Sequence, residues 1–133
     1  MKIRVYGEPA PQGSKTAIVR NGKAIMFESS KRLPGWRDTC LMACTLVANE
    51  NDVPILGPVT VYMTFHMPRP KSVSRRYPNS APDLDKLVRG VGDSLQQSGL
   101  LANDGQIVSL KAHKIYAVEI GDAGVEIEIY PKA

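Results

Sequence analysis

The chain has 133 residues and a formal net charge of +4, and 43% of its residues are hydrophobic, which is ordinary for a globular protein. This length allows one buried core and is too short for two, so we expect a single domain spanning residues 1–133. No apolar run approaches the roughly 18 residues that a membrane-spanning helix needs. The first residues, MKIRVYGEP, lack the apolar centre of a signal peptide. We therefore expect a cytoplasmic protein with no membrane partner.

Three short β-strands are predicted near the N-terminus. Ile3 and Val5 alternate with charged residues, which is typical of a half-buried strand. The Pro/Gly-rich stretch GEPAPQGSK follows and predicts a loop. In AIVRNGKAIMF, residues 17–27, the pair Asn21-Gly22 lies between apolar flanks. This pattern predicts a β-hairpin with a type I′ turn.

A helix and a strand are predicted next. Trp36, Cys40, Cys44 and Val47 recur at spacings of three and four between Pro34 and about Asn49, which indicates a helix with these side chains in the core. The two cysteines are therefore interpreted as core residues, because a disulfide framework would look different. With only His66 and His113 besides, a tetrahedral zinc site is hard to assemble. VTVYMTFHM, residues 59–67, alternates strictly and predicts a half-buried strand.

The loop after that strand concentrates positive charge. MPRPKSVSRRYPNS, residues 67–80, has four basic side chains, three prolines and no acidic residue. The basic side chains are those of Arg69, Lys71, Arg75 and Arg76. A solvated surface loop explains this run as readily as binding to an anionic polymer, so both interpretations stay open.

Two carboxylates follow the basic loop. In APDLDKLVRGVGDSL, Asp83 and Asp85 are one residue apart at the start of an apolar stripe that predicts a helix from Asp85 to about Ser98. We expect Asp85 to be the N-cap and Gly99 to follow the helix as its C′ residue. Arg89 then lies one turn beyond Asp85 on the same face.

A turn and two strands complete the predicted fold. Asp104 lies in the turn LANDGQ, where Asn-Asp-Gly is ordinary turn chemistry. QIVSLKAHKIYAV and VEIEIY alternate and predict strands, and residues 121–124 are expected to close a hairpin between them. The order β-ββ-α-β-α-ββ indicates an α+β fold, with two main helices packed on a largely antiparallel or mixed sheet.

The three acidic residues have a structural and a catalytic interpretation. A helix cap and a turn residue would explain them, and the sequence leaves open whether Asp104 approaches Asp83. Converging carboxylates repel one another unless a cation lies between them, and Mg²⁺ prefers all-oxygen ligands. Next to a basic surface that binds DNA or RNA, such an ion would serve phosphodiester hydrolysis.

The segment PDLDKLVRGVGDSLQQSGLLANDGQIVSLKAHK resembles the core motif of the RusA family of Holliday junction resolvases, which are crossover junction endodeoxyribonucleases. The family pattern is an Asp-hydrophobic-Asp pair that opens a helix, an Asp-Ala-Leu-like element near its end, and Asp-Asp-(Ser/Ala/Gly)-Gln-(Ile/Val). Its counterparts here are Asp83-Leu84-Asp85, Asp93-Ser94-Leu95 and Asn103-Asp104-Gly105-Gln106-Ile107. VYGEPAPQGSK also resembles the family's basic, Gly/Pro-rich N-terminal loop.

The resemblance implies a homodimer with one active site per subunit, which nicks four-way DNA junctions in recombination and repair. It implies Mg²⁺, or Mn²⁺ in its place, and no nucleotide cofactor. By correspondence, Asp83, Asp85 and Asp104 are expected to be the metal-binding catalytic acids. Arg89 stands where most members have lysine, and we expect it to stabilise a phosphate or the transition state. Asn103 replaces the first acid of the usual pair.

Further residues are expected to contact DNA or to support the site. Contacts to phosphates are expected from Lys15, Arg69, Lys71, Arg75, Arg76 and Lys86. Asp93 matches a recurrent helix acid, and its role stays open between structural and supporting.

Two alternatives stay open, and a third is disfavoured by the size of the chain. A non-catalytic branched-DNA-binding protein would share the fold and the basic surface. An Mg²⁺ nuclease acting on flaps or replication forks would share the acidic site. A sugar transferase also uses an Asp-x-Asp pair, but it needs a larger nucleotide-binding sheet than this chain can form. Replacing Asp83 would separate an enzyme from a binding protein, because an enzyme would lose cleavage and keep binding.

Overall fold

The computed structural model describes residues 1–12, 15–20, 22–28 and 33–133, with the backbone alone at 15–20, 23–28 and 33. The helices and strands follow the predicted order and confirm the α+β fold. The elements are β1 (Lys2–Tyr6), β2 (Lys15–Arg20), β3 (Lys23–Glu28), α1 (Leu33–Asn49), β4 (Val59–Met67), α2 (Leu84–Gln97), β5 (Ile107–Tyr116) and β6 (Gly124–Pro131). Short 3₁₀ turns lie at Asp104–Gln106 and Ile120–Asp122. None of the described helices is both long and apolar enough to cross a membrane.

The main sheet is mixed and has the strand order β1-β6-β4-β5. β6 pairs antiparallel with β1 and β4, whereas β5 pairs parallel with β4. The predicted hairpin between β5 and β6 is therefore wrong. The chain leaves β4, returns through α2 to lie parallel beside it as β5, and then crosses the end of β4 to reach its other side. Ala117 marks that crossing, because its N–H donates to the Met67 carbonyl at 2.8 Å.

The second sheet is the predicted N-terminal hairpin. β2 and β3 pair antiparallel, with Ile18 opposite Ile25, which confirms the hairpin. Asn21 lies outside the described residues, so the type of the turn stays a prediction.

One hydrophobic core lies between the main sheet and the two helices. All five apolar positions of β4 are buried, from Val59 at 0% exposure to Met67 at 6%, which confirms the predicted alternation. Cys40 and Cys44 are buried as well. Burial raises the pKa of both thiols, that of Cys44 to about 12. Both cysteines are therefore protonated, free core residues near neutral pH.

The helix that follows the carboxylate pair begins one residue earlier than expected. Leu84 is its first residue and Asp83, with φ −69° and ψ 138°, is its N-cap, so the assignment of Asp85 as N-cap is wrong. Because Asp83 itself still has extended backbone angles, the first residue with helical angles is Leu84. At the other end Gly99 has φ +84°, which confirms the expected C′ residue.

Candidate active site

Asp83 and Asp85 lie at the entrance of α2 with their carboxylates open to solvent. An N-cap aspartate ordinarily accepts a hydrogen bond from a backbone N–H of the first turn. Asp83 makes no such side-chain bond. Its Oδ2 lies 3.7 Å from Lys86 Nζ, and its side chain is 63% exposed. Asp85 is also exposed, in the first turn of the helix. Neither the helix nor the core uses this pair, so both carboxylates are accessible to a cation.

The end of β5 holds the segment that leads into this pair. Lys114 Nζ donates to the carbonyl oxygens of Ser80 and Pro82, each at 2.8 Å. Arg75 donates through Nη2 to Ser80 Oγ and through Nε to Tyr116 Oη, both at 2.9 Å. Two residues of β5 therefore fix the chain immediately before Asp83, one directly and one through Arg75.

The basic loop divides into organising and outward-facing side chains. Arg69 donates to the Arg75 carbonyl at 2.9 Å, and its guanidinium carbon lies 4.3 Å from the centroid of the Tyr116 ring. Arg69 and Arg75, both exposed, thus shape the loop while keeping their charge at its surface. Lys71 and Arg76 are exposed too, and Arg76 lies over the Tyr77 ring at 5.3 Å.

A cavity of about 380 Å³ lies between this loop, β5 and the segment before Asp83. Arg69, Arg75 and Lys114 contribute positive charge to its wall, which Glu8 and several prolines also line. The carboxylate pair therefore has a cation-rich neighbourhood, which is suited to an anionic partner.

Asp104 lies at the opposite end of α2. Its backbone N–H donates to Gln96 Oε1 at 3.0 Å. Gln96 follows Asp83 by 13 residues, which corresponds to about 20 Å along a helix axis. Within one chain, the length of α2 therefore separates Asp104 from the pair. In the part of the chain that the structure describes, no three His, Cys, Asp or Glu side chains form a group able to hold a metal ion.

The turn around Asp104 is stabilised by its neighbours. Asn103 Oδ1 accepts from the Gly105 N–H at 2.7 Å, and Gln106 Oε1 accepts from the N–H groups of Ala102 and Asn103 at 2.8 and 3.1 Å. Gln106 Nε2 donates to two further carbonyls, at 2.8 Å each. The ordinary turn chemistry of this sequence is thus supplied by Asn103 and Gln106. The exposed carboxylate of Asp104 takes no hydrogen bond or ion pair from any described residue.

The remaining predicted residues of α2 have different surroundings. Arg89 is exposed, with no hydrogen bond or ion pair among the described side chains. Asp93 accepts a hydrogen bond from Gln12 Nε2 at 2.5 Å, and the Gln12 N–H donates to the Lys86 carbonyl at 3.1 Å. Asp93 therefore anchors the N-terminal Pro/Gly-rich loop to α2. The Lys15 side chain lies outside the described residues.

Sequence reasoning missed Lys114, Tyr116 and Gln12 as parts of this region. One signal was available for Lys114. Continuing the alternation of β5 from Ala112 places a lysine on the face that packs towards the helices, where its register partner is the buried Phe65. A charged residue in such a position needs polar partners. The contact of Gln12 with Asp93 has no comparable signal, since 81 positions separate the two residues.

Comparison with known proteins gives two matches that each cover most of the chain. A family model described as endodeoxyribonuclease RusA matches residues 7–130, a range that contains all three acidic residues. The chain is also similar to a Bacillus subtilis (strain 168) protein described as uncharacterized protein YqaN, with 33% identity over 131 residues. That alignment covers 90% of this chain and 89% of the relative.

Proposed function

The chain belongs to the RusA family of endodeoxyribonucleases, and on that premise we propose that it is an Mg²⁺-dependent resolvase of four-way (Holliday) DNA junctions. It acts as a homodimer and cuts by paired phosphodiester hydrolysis. The observation that carries this proposal is the carboxylate pair Asp83 and Asp85, which is exposed beside a basic loop and has no capping bond to α2.

The donor chemistry of the pair fits a hard divalent cation. Carboxylate oxygens are the ligands that Mg²⁺ prefers, and Mn²⁺ accepts the same set. Asp83 and Asp85 would hold the ion, which when bound makes an attacking water more acidic and stabilises the leaving oxygen. Among the described residues, the pair has one contact with which the ion would compete, the approach of Lys86 Nζ to Asp83 Oδ2 at 3.7 Å.

The third acid reaches this pair from a second subunit. Asp104 lies about 20 Å from Asp83 along α2 of its own chain, judging from helix rise. In a two-fold dimer with the α2 helices side by side and antiparallel, the Asp104 end of one chain meets the Asp83 end of the other. Two composite sites then form, each with Asp83 and Asp85 from one chain and Asp104 from its partner.

The cationic side chains bind and orient DNA. Lys71 and Arg76 are exposed on the basic loop, and Arg89 is exposed one turn beyond Asp85. They contact phosphates, with Arg89 nearest the pair in sequence and suited to stabilising charge on the phosphate that reacts. Lys86, which is close to Asp83, neutralises part of the carboxylate charge before the cation binds. Such contacts supply affinity without reading base sequence.

The test is a cleavage assay with the purified full-length chain. Labelled four-way junction, flap, fork and linear duplex are each incubated with Mg²⁺ or EDTA, in parallel with an Asp83→Asn variant. We expect Mg²⁺-dependent paired nicks in the junction, and none with the variant. Preferential cutting of flaps or forks would replace the junction assignment, and tight junction binding without cleavage would identify a non-catalytic binding protein.

A further inference from the structure

Lys114 is a charged residue on the core-facing side of β5. In the register of β4 and β5 it lies beside Phe65, which is fully buried, and it follows Ala112 on the face that packs towards the helices. The residue itself is only partly exposed. No carboxylate in the described structure forms an ion pair with it. An ammonium group in such a place is unfavourable unless hydrogen bonds replace its water.

The replacement comes from two backbone carbonyls in one short segment. Lys114 Nζ donates to Ser80 O and to Pro82 O, each at 2.8 Å. The Pro82 carbonyl belongs to the peptide group whose nitrogen is that of Asp83. A displacement of this carbonyl therefore displaces the backbone of Asp83 directly.

A second contact from the same strand end supports the segment. Tyr116 Oη accepts from Arg75 Nε, and Arg75 Nη2 in turn reaches Ser80 Oγ. Ser80 is thus held at its carbonyl by Lys114 and at its hydroxyl by Arg75. Among the described residues, Lys114 alone donates a hydrogen bond to the Pro82 carbonyl, so Lys114 controls the residue next to Asp83.

We propose that Lys114 is a positioning residue for the Asp83–Asp85 pair. By fixing the carbonyls of Ser80 and Pro82 it holds Asp83 extended at the N-cap, so that its carboxylate turns away from the helix and towards the cation shared with Asp85. This inference rests on the proposed metal site. It concerns how the cation is bound, and it does not make Lys114 a DNA contact.

The experiment measures metal binding and cleavage separately on full-length protein. Lys114→Met keeps most of the length of the side chain and removes the donors, and Lys111→Met is the matched control. Lys111 is on the same strand, exposed, and paired in register with the exposed Tyr62. Mn²⁺ affinity is measured by electron paramagnetic resonance, the Mg²⁺ dependence by junction cleavage, and junction affinity in EDTA. The thermal midpoint reports folding.

We expect Lys114→Met to weaken Mn²⁺ binding, and to raise the Mg²⁺ concentration for half-maximal cleavage, by about 10–100-fold, as for residues that orient metal ligands. Junction affinity in EDTA stays within about twofold, because phosphate contacts elsewhere supply it. Lys111→Met leaves the metal dependence unchanged. Lys114→Arg keeps charge and donors and restores part of the metal affinity. If Lys114→Met does not fold, the metal affinities of Lys114→Arg and Lys114→Gln are compared with that of the unsubstituted protein instead.

Unchanged Mn²⁺ affinity in a folded Lys114→Met or Lys114→Gln protein would overturn the inference. A loss of junction affinity with unchanged metal dependence would overturn it as well and make Lys114 a phosphate contact. If the unsubstituted protein cuts no DNA, the proposed function fails. The Mn²⁺ measurement then still tests whether Lys114 positions the pair.

Discussion

The two ends of α2 both carry exposed aspartates, yet the chain is organised differently around them. At the N-terminal end the helix leaves the Asp83 carboxylate without a capping bond, and residues of β5 hold the preceding segment. At the C-terminal end Asn103 and Gln106 close a tight turn. At both ends, groups other than the aspartate carboxylates form the hydrogen bonds that stabilise the local structure. The carboxylates are therefore available to bind a ligand. Within a single chain, however, the two ends are separated by the length of α2.

Removing a carboxylate at the N-terminal end is expected to have the largest effect. Asp83→Asn should lower junction cleavage by more than about 100-fold, because a metal ligand is lost where several kcal/mol of transition-state stabilisation depend on it. Asparagine is as good an N-cap as aspartate, so stability should change by less than about 0.5 kcal/mol. Single-turnover cleavage and urea unfolding measure the two quantities. Cleavage within tenfold of the original protein would exclude Asp83 as a ligand.

Mixing two inactive variants tests directly whether the Asp83 end of α2 in one subunit and the Asp104 end in its partner form one site. Asp83→Asn and Asp104→Asn are each expected to be inactive as homodimers. After co-refolding in equal amounts, a composite site restores about one quarter of the sites, because half the dimers are mixed and each mixed dimer keeps one intact site. The readout is single nicking of a junction, since one site per dimer cannot cut two strands together. Sites built within one chain would give no recovery.

At the C-terminal end of α2, the free energy of unfolding distinguishes Gln106, which stabilises the turn, from Asp104, which we expect to bind the ion. Gln106→Ala removes four side-chain hydrogen bonds and should cost about 2–4 kcal/mol of unfolding free energy. Asp104→Ala should cost less than about 0.5 kcal/mol, because no described group depends on that carboxylate. Urea unfolding of both variants gives the comparison. Equal destabilisation would mean that Asp104 is a turn residue after all.

Salt dependence gives the smallest expected effect and tests the basic loop beside the N-terminal end. Lys71→Ala and Arg76→Ala should each weaken binding to junction and duplex alike, and each should reduce the slope of log affinity against log salt by about 0.9. Lys132→Ala, near the C-terminus, serves as the charge-matched control. A change confined to one DNA form would instead indicate recognition of shape.

Local sequence patterns predicted most of the elements, because each of them depends on near neighbours. The alternation of Val59–Met67, the helical spacing of the cysteines and the glycine at the end of α2 all predicted what the structure contains. The prediction failed for the hairpin between β5 and β6. Two consecutive strands joined by a Gly-containing loop normally pair, and nothing in the loop itself records that β4 lies between them.

The sequence by itself determined the order of the elements, the family, and which acidic residues are candidates, since these follow from periodicity and motif spacing. Tertiary structure alone decided where the candidates lie. A helix separates Asp104 from Asp83, and a lysine from a distant strand holds the segment before the pair. Both outcomes depend on how a strand and a helix pack, and packing joins residues far apart in the chain, which no short-range pattern encodes.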